Sequence, residues 1–266
     1  MRAPRIIALG TVAALGLAGC GLTDARNAAI ANAKVKPVSL ADALRPGLVG
    51  IAGYPSTGWE ASSASPAPLS VQATLTRIGI TSADLMTGLT VKTMPDGTSL
   101  GIPTLDFCNA TYPSESLRVA RLQRGAYDAQ GAYAGLSTEV VVYRTAADAQ
   151  QALREVTAAR LGCPVGTVVK TFDGHKISFA FHPAPGPAST PLVPAADRLI
   201  VHTTMRVDGA PQTALLVYQI DGRVLAAMYA MDASGKPFPQ TSLDAFFSLA
   251  GIIATRLQQY APTLAG

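Results

Sequence analysis

The sequence predicts an α+β fold, a twisted antiparallel sheet with two long helices packed on one face. Three observations lead there. Residues 165–231 read as successive short strands punctuated by tight-turn dipeptides, Asp208-Gly209 and Asp221-Gly222. Thr138-Glu-Val-Val-Val-Tyr143 is β-branched and aromatic enough for a central, buried strand. Two stretches with helical periodicity, 146–161 and 242–260, lie outside the strand runs, which suits helices segregated from an antiparallel sheet.

Taken in order, the folded part is expected to begin near Val71. Thr81-Ser-Ala-Asp84 has the residues of a helix N-terminus, a hydroxyl cap with an acid in the first turn. Gly88 stops it, and 89–94 is a short strand closed by Pro95-Asp-Gly97, a turn signal. Pro113-Ser-Glu-Ser-Leu117 opens a short helix, with Leu117, Ala120 and Arg121 at helical spacing. Residues 122–144 suit a hairpin with arms at 123–129 and 138–143 and its bend at 131–135.

Thr145-Ala-Ala-Asp148 resembles a capping box. The stripe of Ala149, Ala152, Leu153, Val156 and Ala159 behind it makes 146–161 an amphipathic helix ended by Gly162. Strands follow at 165–172, 176–182, 198–207, 213–220 and 224–231. The segment 183–194 carries five prolines, so it is a loop without ladder hydrogen bonds and a candidate rim for a cleft. Thr241-Ser-Leu-Asp244 caps the last helix, whose apolar face includes Leu243, Phe246, Phe247, Leu249, Ala250, Ile253 and Leu257, with Pro262 beyond it.

The N-terminus carries a sorting signal rather than a structural element. Arg2 and Arg5 precede an uncharged apolar run at 6–17, and Leu17-Ala-Gly-Cys20 follows. That run is shorter than the roughly 20 apolar residues a membrane span requires. The tetrad looks like the lipobox of bacterial lipoproteins. This implies a signal peptide at 1–19, a diacylglycerol thioether with palmitate-type acyl chains on Cys20, and a chain held on the extracytoplasmic face of the cell membrane.

Removing residues 1–19 from the 266 leaves 247, enough to bury a sizeable core. Residues 20–70 read as the lipidated N-terminus and a flexible tether, with a low-complexity end at 61–68 and a lone Trp59. As a coil it would span roughly 35–45 Å. The α+β domain is expected over 71–262.

The formal charge of +4 falls to about +2 once Arg2 and Arg5 are removed, which gives no electrostatic case for nucleic acid. Of three cysteines, lipidation of Cys20 leaves Cys108 and Cys163 as one possible pair in an oxidising compartment. The loop so closed is about 56 residues, for ~4 kcal/mol by the chain-entropy relation.

Catalytic patterns are missing. There is no phosphate loop, dinucleotide fingerprint, Gly-x-Ser-x-Gly elbow or Cys-x-x-Cys. His175, His182 and His202 do not cluster in sequence, so no metal ligand set and no cofactor is expected. The densest polar group is Ser114, Glu115, Arg118, Arg121, Gln123 and Arg124. Its guanidinium groups suit an anionic ligand, and Glu139 in the Val-rich strand suits an ion pair with one of them. Arg118, Arg121 and Glu139 are therefore the candidate ligand-binding residues. Tyrosines 112, 127, 133, 143, 218 and 229 are candidates to line a pocket or to pack in strands. Asn109-Ala-Thr111 matches a glycosylation sequon.

Cys108-Asn-Ala-Thr-Tyr-Pro-Ser-Glu115, the Thr138–Tyr143 strand and the Ala-rich helix ending in Cys163-Pro164 together resemble the PknH-like extracellular domain. That domain occurs on actinobacterial receptor-type Ser/Thr kinases and on free-standing lipoproteins, and the resemblance covers roughly residues 75–262. It implies a twisted antiparallel sheet flanked by helices around a cleft, a disulfide matching Cys108 and Cys163, and a sensory or ligand-binding role without catalysis. The chain departs from that pattern in lacking a second cysteine pair, since 201–231 contains none.

The reading so reached is a membrane-anchored extracytoplasmic lipoprotein, not an enzyme. Its domain binds or senses a small ligand or an envelope protein, and its partner at the other end is the membrane through Cys20. The alternatives are a structural cell-envelope lipoprotein without a small-molecule site, and an envelope enzyme with no recognisable motif.

Overall fold

A computed structural model describes residues 70–105, 108, 110–163, 168–170, 176–186 and 192–264. The signal peptide, Cys20, Trp59, almost all of the tether, Asn109 and His175 lie outside the described residues.

The chain opens with α1 (Val71–Ile78), where the Ser70 hydroxyl caps the helix by accepting the Ala73 N–H at 3.2 Å. Thr81–Asp84 forms a single 3₁₀ turn rather than a longer helix, although the reciprocal Thr81–Asp84 cap is present. Arg256, far along the chain, clamps Asp84 with both guanidinium nitrogens at 2.8 and 2.6 Å.

Eight strands make one antiparallel sheet in the order β1-β2-β3-β8-β7-β6-β5-β4. They are β1 (Thr90–Thr93), β2 (Arg118–Tyr127), β3 (Tyr133–Tyr143), β4 (Val168–Lys170), β5 (Lys176–His182), β6 (Arg198–Val207), β7 (Ala210–Asp221) and β8 (Val224–Asp232). Two helices complete the fold: α2 (Ala146–Gly162) between β3 and β4, and α3 (Gln240–Tyr260) after β8. The α+β class predicted from sequence is the architecture observed.

The two long helices, however, do not share a face. Along β3, Val140 and Val142 pack with Leu215, Val217, Ala226 and Met228 against Leu75 and Ile78 of α1 and Phe246, Leu249, Ile253 and Leu257 of α3. Val141 and Tyr143 instead join Leu216, Tyr218, Ala227 and Tyr229 against Ala149, Ala152, Leu153 and Val156 of α2. The period-2 alternation of strands sends successive side chains to opposite sides, and here each side has its own helix layer. This separation fits the topology: α2 carries the chain from β3 to β4 at the far edge along one face, and α3, which follows β8, covers the other. It also explains why β7 and β8 are buried almost throughout, as continuous apolar runs rather than alternating ones.

Three local expectations change. Residues 118–127 are strand, so the short helix after Pro113 is only a 3₁₀ turn ending at Leu117. The β2–β3 bend falls at 128–132, and Gly135 sits inside β3, where a φ of 77° and the Met231 carbonyl 2.5 Å from any Cβ require glycine. Asp208-Gly209 forms a two-residue loop between Val207 and Ala210, with positive φ at both residues as a type I′ turn demands. The β7–β8 loop shifts by one residue: Asp221 pairs with Val224, so Gly222 and Arg223 turn the chain, and Gly222 has a φ of 54°.

Candidate functional site

The sequence-predicted site residues do converge, but as a buried latch beneath the 94–117 loop. β2 and β3 place them. Register puts Gln123 opposite Glu139, Arg121 opposite Val141 and Arg118 opposite Tyr143. A register shift between Arg118 and Ala120 inserts one extra residue, so Arg118 and Arg121 reach the same, α2-facing side of the sheet. Arg124 goes to the other side and donates to the Ile80 carbonyl at 2.8 Å.

Arg121 and Glu139 form an ion pair whose two side chains are fully buried, Arg121 Nε donating to Glu139 Oε1. The same carboxylate accepts the Thr104 hydroxyl at 2.7 Å and the Tyr229 hydroxyl at 3.2 Å. The rest of the Arg121 guanidinium donates to the Asp96 carbonyl at 3.0 Å and to Gln123 Oε1 at 2.8 Å. A buried charge of this kind is tolerable only when paired and fully hydrogen-bonded, and both conditions hold.

Arg118 gathers the loop. Its guanidinium donates to the carbonyls of Ile102 at 2.7 Å, Leu100 at 2.6 Å and Glu115 at 3.0 Å, and to the Thr104 hydroxyl at 3.0 Å. Glu115 is 3.0 Å from Arg118 and accepts the backbone N–H groups of Thr104 and Leu105 at 2.9 and 3.0 Å. Burial pushes the Glu115 carboxyl up to about 7, against the lowering pull of Arg118. Burial likewise pushes the neighbouring Tyr143 hydroxyl well above its ordinary value.

From α2, Glu155 accepts the backbone N–H of Ser114 at 3.1 Å and its hydroxyl at 2.5 Å. Below it, a disulfide joins Cys108 to Cys163 at the end of α2, with the Cα atoms 5.9 Å apart. Gly97 completes the strap: it bonds the Gln123 N–H at 2.7 Å, and its Cα lies so close that a Cβ would meet the Gln123 carbonyl at 2.6 Å.

Chemically, this arrangement fixes a loop whose carbonyls would otherwise be buried without partners. Arg118, Arg121 and Glu139 spend their polar atoms on the protein itself. Tyrosines 112, 133, 143, 218 and 229 are buried in the α2-side core. Among the described residues, no group of three or more metal-ligating side chains occurs.

Sequence reading missed one pairing. His182 and His202, twenty positions apart, face each other across β5 and β6, with ring centroids 5.2 Å apart. His182 Nε2 lies 2.9 Å from Thr204 Oγ1. Partial burial, then the neighbouring His182, holds the His202 imidazole below its ordinary pKa. The β5–β6 connection is the long proline-rich loop, so no short turn signals this register in the sequence.

No protein-family profile and no curated protein matches the chain. Among solved structures it is similar to the extracellular domain of PknH from Mycobacterium tuberculosis, at 14% identity and a TM-score of 0.37, over 71% of this chain and 92% of that one. Identity and superposition that low carry nothing about function across, and the α+β assignment stands on the strand register itself. Among the described residues, no helix is long and apolar enough to cross a membrane.

Proposed function

We propose that the chain is a lipid-anchored extracytoplasmic protein whose domain binds a ligand or an envelope partner and performs no catalysis of its own. One observation carries the reading. With Cys108 and Cys163 joined in a disulfide, the cysteine left over is Cys20, directly behind Leu17-Ala-Gly. A disulfide suits an oxidising compartment, and a cysteine at the end of a signal sequence suits lipidation. The buried latch supports the non-catalytic part, because its carboxylates and guanidinium groups answer one another.

Exchanging Cys20 for Ser tests the anchor: the variant should leave the membrane fraction or accumulate unprocessed, and unchanged membrane retention would refute lipidation. Native mass spectrometry of the lipoprotein purified from its own envelope tests binding, which predicts a co-purifying ligand or protein. Finding none would favour the second reading, a structural envelope protein. That reading draws on the tyrosines, which fill the core beneath α2 instead of lining a cleft.

A further inference from the structure

We propose that His182 and His202 form a two-imidazole site for a borderline divalent transition-metal ion of the Zn(II) class, with water completing the coordination. The pair sits at the end of β5, immediately before the proline-rich segment, and both side chains are half-buried. Directly opposed residues on antiparallel strands share one face and lie within side-chain reach of each other. Two nitrogens bound at ~2.0–2.1 Å across a tetrahedral angle stand about 3.3 Å apart. With each centroid about 1 Å behind its ligating nitrogen, that geometry places the two ring centroids about 5 Å apart, and the imidazole centroids stand 5.2 Å apart.

The second observation is how the His182 ring is held. A ligating histidine characteristically uses its other ring nitrogen on a carbonyl, carboxylate or similar partner, which fixes the tautomer and aims the free lone pair. His182 has such a partner here: its Nε2 lies 2.9 Å from the Thr204 hydroxyl, which leaves Nδ1 of that ring for a ligand. Imidazole ligands favour Zn, Cu and Ni over hard cations such as Mg. The site owes nothing to the anchor at Cys20 and stands whether or not that reading holds.

The test is calorimetric titration of the purified full-length mature lipoprotein in detergent with Zn²⁺, and with Mg²⁺ as the hard-cation control. Zn²⁺ should bind at one equivalent per chain in the native protein and in His175→Gln, and Mg²⁺ should not. His182→Gln and His202→Gln should each weaken Zn²⁺ binding at least about tenfold, the loss that even an outer partner of a ligating histidine causes. No Zn²⁺ binding by the native protein, equal binding of Mg²⁺, or Zn²⁺ binding unaffected in both variants would overturn the proposal. A reading on the native protein guards against misfolded variants: long-range ¹H–¹⁵N spectra should show the His182 and His202 ring nitrogens shifting together on Zn²⁺ addition. Shifts confined to His175, or none, would overturn it too.

Discussion

The Arg121–Glu139 pair offers a sharp test of the latch. Both side chains are fully buried, and Glu139 holds three partners: Arg121, Thr104 and Tyr229. Exchanging Glu139 for Gln removes the counter-charge and leaves a guanidinium in the core, while Arg121→Met leaves a carboxylate there. Loss of one partner from a buried pair costs about 3–5 kcal/mol. In the double variant Arg121→Met/Glu139→Gln neither charge remains. What is lost is the Arg121 donor to the Asp96 carbonyl and to Gln123 Oε1, each costing at most about 1–3 kcal/mol. The double variant should therefore lose clearly less than the ~6–10 kcal/mol sum of the single losses, with a coupling energy of at least about 2 kcal/mol. Urea unfolding of the disulfide-intact protein, followed by far-UV circular dichroism and tyrosine fluorescence, measures all four corners of the cycle. Single losses below about 1 kcal/mol, or strict additivity, would show that the pair does not hold the loop and would reopen it as a ligand site.

Other parts of the structure predict as directly. Between pH 4.5 and about 7 the folded protein holds the Glu115 proton more tightly than the unfolded chain does. Its contribution is thus full below about pH 4.5 and is lost as the pH rises to about 7, for roughly 3 kcal/mol at 1.36 kcal/mol per unit. Denaturation across that range should show the fall in the native protein and not in Glu115→Gln, and equal slopes would exclude the effect. Gly135→Ala should destabilise by about 1–3 kcal/mol or more, since alanine must take φ 77° and push its Cβ into the Met231 carbonyl; thermal unfolding within error of the native protein would contradict the packing. Non-reducing peptide mapping should recover Cys108 linked to Cys163, and Cys108→Ser/Cys163→Ser should lose about 2–4 kcal/mol; free thiols at both positions in the protein isolated from its own cells would refute the pairing.

The misreading of 117–121 is instructive. Leu117, Ala120 and Arg121 have helical spacing, and Arg118 and Arg121 do share a face as i and i+3 would on a helix. The shared face arises from a bulge, whose extra residue turns strand alternation into the same spacing. Periodicity over five residues cannot separate the two origins. Glu139, by contrast, was legible. A carboxylate among Val140, Val141, Val142 and Tyr143 needs a buried cation, and the arginine cluster was the one dense enough to supply it.

What the sequence by itself determined is local and binary: a capped helix at 146–161, a tight hairpin turn at Asp208-Gly209, the antiparallel α+β class and the pairing of Cys108 with Cys163. These follow from short-range chemistry, in which caps, turns and hydrophobic period need only a few adjacent residues. Tertiary structure alone decided which face each helix covers, because Val140 and Val141 are equally apolar and both faces of β3 accept a layer. It alone joined Arg256 to Asp84 and His182 to His202, since those meetings depend on sheet order and strand register, set by packing between segments far apart along the chain.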